Sequence, residues 1–201
     1  MRIFRGLFYA FIILTVFACA TTGKQVKYYS LNLNKDYQSL VAANQTNTKL
    51  PRVVVGPIHL ANFLRQDRLV MQIGEHEIIS ANHHRWAEPL EEAISKLLTH
   101  ELNEKSERYQ FGRMVGQWKQ DAPFNLRLEF EKFHATDNAQ VVVSGRYWFY
   151  ESNQALGLNQ TQAFDISMGL THDGYLHAVE KLEQAIGQLS DQIIDSLNLI
   201  K

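Results

Sequence analysis

Between Leu90 and Leu102, apolar side chains return at steps of three and four residues: Leu90, Ala93, Ile94, Leu97, Leu98 and Leu102. That spacing puts one apolar stripe on a helix, which must lie against a sheet or another helix. Pro89 suits a first helical turn, where its missing N–H costs nothing, and it pushes Glu88 away from helical angles. Glu88, Glu91 and Glu92 stand at the positive end of the helix dipole. Glu92 with Lys96, and Glu101 with Lys105, have the spacing of paired charges on the wet side. A second, longer helix is predicted from about Gly174 to Leu199, with Tyr175, Ala178, Val179, Leu182, Ala185, Ile186, Leu189, Ile193, Leu197 and Ile200 holding the period. Asp173 is the expected N-cap. Gly187 weakens this helix by about 1 kcal/mol relative to alanine and leaves room for close helix–helix approach.

Strand patterning fills most of the remainder. Val26 to Leu33 alternates and is rich in tyrosine. Arg52 to Ile58 carries consecutive valines, the mark of a strand buried on both faces, with Gly56-Pro57 as its expected end. Leu69 to Ile73 and Glu77 to Ser80 read as a hairpin about Gly74-Glu75-His76. Arg108 to Val115 suits a short edge strand. Phe124, Leu126, Leu128 and Phe130 alternate with Asn125, Arg127, Glu129 and Glu131, a half-buried strand. Val141 to Glu151 and Gln160 to Leu170 complete an antiparallel meander. The expected fold is α/β or α+β: a mixed, mostly antiparallel β-sheet with two long amphipathic helices packed on one face.

The N-terminus departs from this pattern. Residues 1–18 carry a short basic start (Arg2, Arg5) and an apolar run from Leu7 to Ala18. The run is shorter than the ~20 residues needed to span a bilayer and fits a secretory signal. Cys19, the single cysteine of the chain, follows directly. Val16-Phe17-Ala18-Cys19 resembles a bacterial lipobox, in which the cysteine is acylated and becomes the new N-terminus. Val16 stands where leucine is usual, and Phe17 is bulkier than the usual small residue. The expected organisation is therefore a signal peptide (1–18), a lipidated tether (19–27) and one globular domain (28–201). Without an aspartate after Cys19, analogy with lipoprotein sorting favours an outer-membrane location facing the periplasm. The tether reaches about 26 Å at full extension.

Charge changes the picture in one respect. The formal net charge is −1, and removal of residues 1–18 leaves 18 basic against 21 acidic residues. With no basic surplus to neutralise phosphates, nucleic-acid binding is not expected.

Three segments carry a resemblance: YYSL at Tyr28–Leu31, VVVGPIHLANFLRQDRLV at Val53–Val70, and HHRWAEPL at His83–Leu90. Together they resemble the PqiC-like auxiliary lipoprotein family of ABC-type transporters, over roughly the whole mature chain. The resemblance implies a non-catalytic envelope lipoprotein that serves an intermembrane lipid transport system beside MCE-domain proteins and ABC-type transporter components, and so supports membrane integrity. The alternative is an envelope scaffold that binds protein or peptidoglycan and moves no lipid. Self-association stays open under both.

Catalytic chemistry finds little footing. Val143-Ser144-Gly145 lacks the first glycine of a nucleophile elbow and lies in a strand pattern. No phosphate-binding glycine loop occurs, so ATP hydrolysis would belong to a partner. The adjacent His83 and His84 point opposite ways in an extended segment, and His172 and His177 are poorly spaced for shared metal ligation. No enzyme, metal or cofactor is expected. The candidate site residues are Cys19 for lipidation and Arg85, Trp86, Glu88 and Pro89 for a partner contact, since Trp and Arg are favoured interface anchors. The structural alternative for that corner has Trp86 filling a gap between helix and sheet while Arg85 pairs with a carboxylate.

Overall fold

The computed structural model describes residues 24–31, 50–114, 124–151 and 161–199. Cys19, the signal segment, most of the tether and Ile200 lie outside them. Among these described residues, eight strands and two long helices follow in the order β1 (Lys27–Tyr29), β2 (Arg52–Leu60), β3 (Arg68–Ile73), β4 (Glu77–Trp86), α1 (Leu90–Lys105), β5 (Gln110–Arg113), β6 (Phe124–Thr136), β7 (Gln140–Glu151), β8 (Gln162–Gly169) and α2 (Tyr175–Leu199). A short 3-10 turn at Asn62–Leu64 separates β2 from β3.

All eight strands join one mixed sheet built around β6. One edge of β6 pairs antiparallel with β7, which pairs antiparallel with β8. The other edge pairs parallel with β2 along Phe124–Phe130 and then with β3 at Ala135 and Thr136. β5 adds to β2 in parallel, β4 to β3 antiparallel, and β1 to β4 in parallel. The antiparallel ladders are the long ones, so the sheet is mostly antiparallel although four of the strand pairings are parallel.

Both helices cover the same face. α1 packs over β2 and β5, α2 over β6, β7 and β8, and the two helices pack on each other. The core between them holds Phe111, Leu126, Leu128, Phe130 and Phe133 from the sheet against Leu97, Leu98, Leu102, Ile186, Leu189 and Ile193 from the helices. The helices are also locked by Lys105, whose Nζ donates to the Gly187 carbonyl at 2.6 Å and to Ser190 Oγ at 2.8 Å. It also meets Asp191 at 2.8 Å and Glu101 at 3.5 Å. Gly187 thus marks the close approach expected of it.

Several boundaries move. Gly56-Pro57 does not end β2; the strand runs to Leu60 through a register shift between Val55 and Ile58. Gly56 sits there at φ +124°, a conformation that L side chains rarely adopt. β6 continues beyond Glu131 because a bulge between Phe130 and Lys132 places both Phe130 and Phe133 inward. That bulge breaks the two-residue alternation on which strand prediction depends. Opposite it, a Cβ on Gly145 would lie 1.9 Å from the Glu129 carbonyl oxygen, so only glycine fits. β4 reaches Trp86, and Pro89 is the N-cap of α1 rather than a residue of its first turn. At α2, Gly174 occupies the cap position, with its carbonyl accepting from Ala178 N–H, and Asp173 lies one residue too early. β1 is shorter than the alternation suggested. Lys96 pairs with Glu88, and Glu92 with Arg113, instead of with each other.

Candidate functional site

The segments YYSL and HHRWAEPL, far apart in sequence, lie side by side. β1 pairs with the end of β4 in the register Lys27 with His84, Tyr28 with Arg85 and Tyr29 with Trp86. The strand ladder continues into the helix entry, where Ala87 N–H donates to the Tyr29 carbonyl at 2.7 Å. Trp86 N–H donates to the Asp67 carbonyl at 2.7 Å, so the segment after β2 closes the third side. All three resemblance segments therefore meet in one corner where sheet passes into α1.

Trp86 is 6 % exposed and packs at 6.3 Å from the Phe133 ring of β6. Arg85 points the other way, as alternation along a strand requires, and its guanidinium pairs with the Asp67 carboxylate. Glu88 turns back onto α1 to pair with Lys96. Glu91 faces Arg65 at 3.6 Å. Arg85 and Glu88 stay partly exposed, whereas Trp86 is filler between sheet and helix.

His84 ties the corner to the second helix. Tyr29 Oη and His84 Nδ1 are 2.7 Å apart, and the imidazole stacks on Tyr175 at 3.8 Å between ring centroids. Burial, with help from the charges of Lys27 and His83, lowers the His84 pKa below its ordinary value. Burial, reinforced by Tyr175, raises that of Tyr29. His84 thus fills the space between β1 and α2. Both lie in segments that carry the family resemblance, but only the β1–β4 pairing brings them together.

The other histidines and acids sort themselves differently. His172 and His177 meet edge to face at 5.2 Å, and His177 accepts from Thr171 N–H at 3.2 Å, an exposed cluster capping the approach to α2. Among the described residues no group of three His, Cys, Asp or Glu side chains is placed to hold a metal. Glu129 and Glu131 both face Arg146, at 3.4 Å and 3.1 Å, on the face of the sheet away from the helices. Ser144 lies within β7. Tyr147 and Phe149 are buried under α2, while Trp148 and Tyr150 are half-buried on the opposite face, with Arg127 stacked 4.5 Å over the Tyr150 ring.

Beyond this corner the helix face opens. A crevice of about 310 Å³ is lined by Met71, Ala135, Leu170, Tyr175 and Ala178, with Asp137 and Asp173 beside them.

A mixed sheet covered on one face by two mutually packed helices, with its N-terminal strand at the helix entry, defines an α+β domain of a kind already seen in crystals. An uncharacterized protein shares it with a TM-score of 0.69 at 20 % identity, over 87 % of this chain and 99 % of that one. Protein XCC0632 from Xanthomonas campestris shares it with a TM-score of 0.62 at 11 % identity, over 84 % and 92 %. No match is found among curated proteins. The sequence itself is decisive at family level: residues 29–194 match the model of the ABC-type transport auxiliary lipoprotein component. The chain belongs to that family.

Proposed function

We propose that this chain is a non-catalytic, lipid-anchored subunit of an ABC-type, MCE-associated system that moves lipid between membranes of the cell envelope. The observation that carries this reading is the family match over nearly the whole described domain, together with the convergence of its YYSL and RWAEPL segments in one rigid corner. No helix among the described residues is long and apolar enough to cross a membrane. In this reading residues 1–18 are removed, Cys19 is acylated, and the short tether holds the domain near the surface of the outer membrane, facing the periplasm. Several acyl chains on one residue supply the hydrophobic signals that stable anchoring needs. The partner contact runs through the exposed parts of Arg85, Glu88 and Pro89, with Trp86 fixing their backbone from beneath.

Two measurements test it. Co-purification from detergent-solubilised membranes after crosslinking should recover an MCE-domain protein or an ABC-type transporter component, and recovery of neither would end the partner assignment. Cys19→Ser should abolish labelling by a fatty-acid analogue, because serine lacks the thiol that accepts the lipid. Equal labelling of both forms would exclude Cys19 as the acceptor.

A further inference from the structure

The crevice beside α2 is the floor of a longer trough. Residues paired directly across strands face the same side of a sheet, and the pairs Ile79 with Met71, Met71 with Ala135, and Ala135 with Val141 form one row on the helix face. At Val141 the row is wholly covered by α2. Toward β4 the cover stops: Ile79 is 38 % exposed, and Met71 and Ala135 line the open crevice. Leu170, Tyr175 and Ala178 form its far wall. A part-exposed apolar strip that continues directly from the core has the character of a binding groove.

Two features identify the occupant. The first is position: Tyr175, which walls the crevice, stacks on His84, and His84 pairs with Lys27, the first residue of β1. The tether thus enters the fold at the end of the trough, and eight peptide units from Cys19 to Lys27 span about 26 Å at most. Where Cys19 is acylated, the trough is confined to the surface of a bilayer. The second is charge: among the described lining residues stand Asp137 and Asp173 and no lysine or arginine, and Asp137 Oδ2 already accepts from Gly74 N–H at 2.9 Å. A phosphate-only headgroup is repelled there, whereas an ammonium is attracted.

We propose that the trough takes one acyl chain of a membrane phospholipid whose headgroup carries an ammonium, such as phosphatidylethanolamine. The proposal rests on the tethered-lipoprotein reading and deepens it, by assigning lipid contact to this subunit itself.

Hairpin β3–β4 contains its own control. Ile78 and Ile79 are neighbours of nearly equal exposure, 39 % and 38 %, on opposite faces of the sheet. The full chain is reconstituted in vesicles that contain phosphatidylethanolamine with a diazirine on one acyl chain, illuminated, and the adducts are mapped by peptide mass spectrometry. Adducts are expected on peptides containing Met71, Ala135 and Tyr175, reduced at least five-fold by Ile79→Asp and unchanged by Ile78→Asp. The same diazirine chain on phosphatidylglycerol should label at least three-fold less. Absence of adducts, adducts elsewhere, or equal losses from both isoleucine variants would overturn acyl-chain binding in the trough, and equal labelling from the two lipids would overturn the headgroup assignment. Recovery of transporter subunits is read separately, so a failed trough leaves the partner assignment standing.

Discussion

The corner at β1, β4 and α1 and the trough at β3, β4 and α2 share a strand, yet they are built on opposite principles. In the corner, Trp86 is buried against Phe133, and the neighbouring charges are matched as Arg85 with Asp67 and Glu88 with Lys96. In the trough, Ile79 and Met71 belong to the same sheet face as the core, but Ile79 is part-exposed and Met71 lines an open crevice beside the start of α2. The corner is closed by its own side chains, while the trough is left open on the helix face. A recognisable sequence pattern thus marks the part that holds the fold together, and the part most open to a ligand carries no pattern.

That contrast can be broken by substitution. Trp86→Ala should have the largest effect, about 3–5 kcal/mol of unfolding free energy, because it leaves a cavity between sheet and helix. Denaturant titration measures this directly. A loss below about 0.5 kcal/mol would mean that the corner is as loosely filled as the trough.

Acid should test the corner in a graded way. The folded-state pKa of His84 is lowered by burial and then by Lys27 and His83, and that of His134, on β6 with its ring beside Phe63, is lowered mainly by burial. The unfolded chain protonates these groups near about pH 6.5 and so binds more protons than the folded chain just below that value. Stability should therefore be full above that pH, fall as pH drops toward the folded-state pKa values, and then level. His84→Phe keeps an aromatic ring against Tyr175 and should make the fall shallower. A melting temperature with the same acid dependence in both proteins would remove His84 from this account.

Glu88→Ala should cost about 0.3–1 kcal/mol, since the Lys96 pair is partly exposed and the lost charge lies near a helix N-terminus. Smallest of all, Ile79→Ala should shift unfolding by under about 0.5 kcal/mol, as expected of a surface position. A larger cost there would show that the trough is part of the core after all, and would merge the two regions.

The helices were the most legible part of the sequence. The stripe from Leu90 to Leu102 and its continuation from Tyr175 to Leu197 follow a local period, and every position named in them that the structure describes as core is one that the period selects. The paired strands β6, β7 and β8 were legible for the same reason. Prediction failed where one residue's place depends on a distant strand. The Glu131 bulge depends on how β7 approaches at Gly145, and the continuation of β2 past Pro57 depends on β6 waiting beside Ile58. Charge pairs followed suit: the spacing of Glu92 and Lys96 permits a bond on an isolated helix, but Arg113 and Glu88 are better placed once the sheet is present.

Of the site, sequence order alone determined the residue types: a buried-size aromatic beside an arginine and a glutamate at a helix entry, with tyrosines upstream. Which of them are filler and which face solvent was decided by β4 extending to Trp86, which turns Trp86 inward and Arg85 outward. The Tyr29–His84–Tyr175 stack and the trough exist only in three dimensions, because each draws residues from elements that no local pattern connects. Short-range periodicity fixes what a segment becomes, since neighbours along the chain always share its geometry. Long-range pairing fixes what the segment meets, and a binding surface is a statement about meeting.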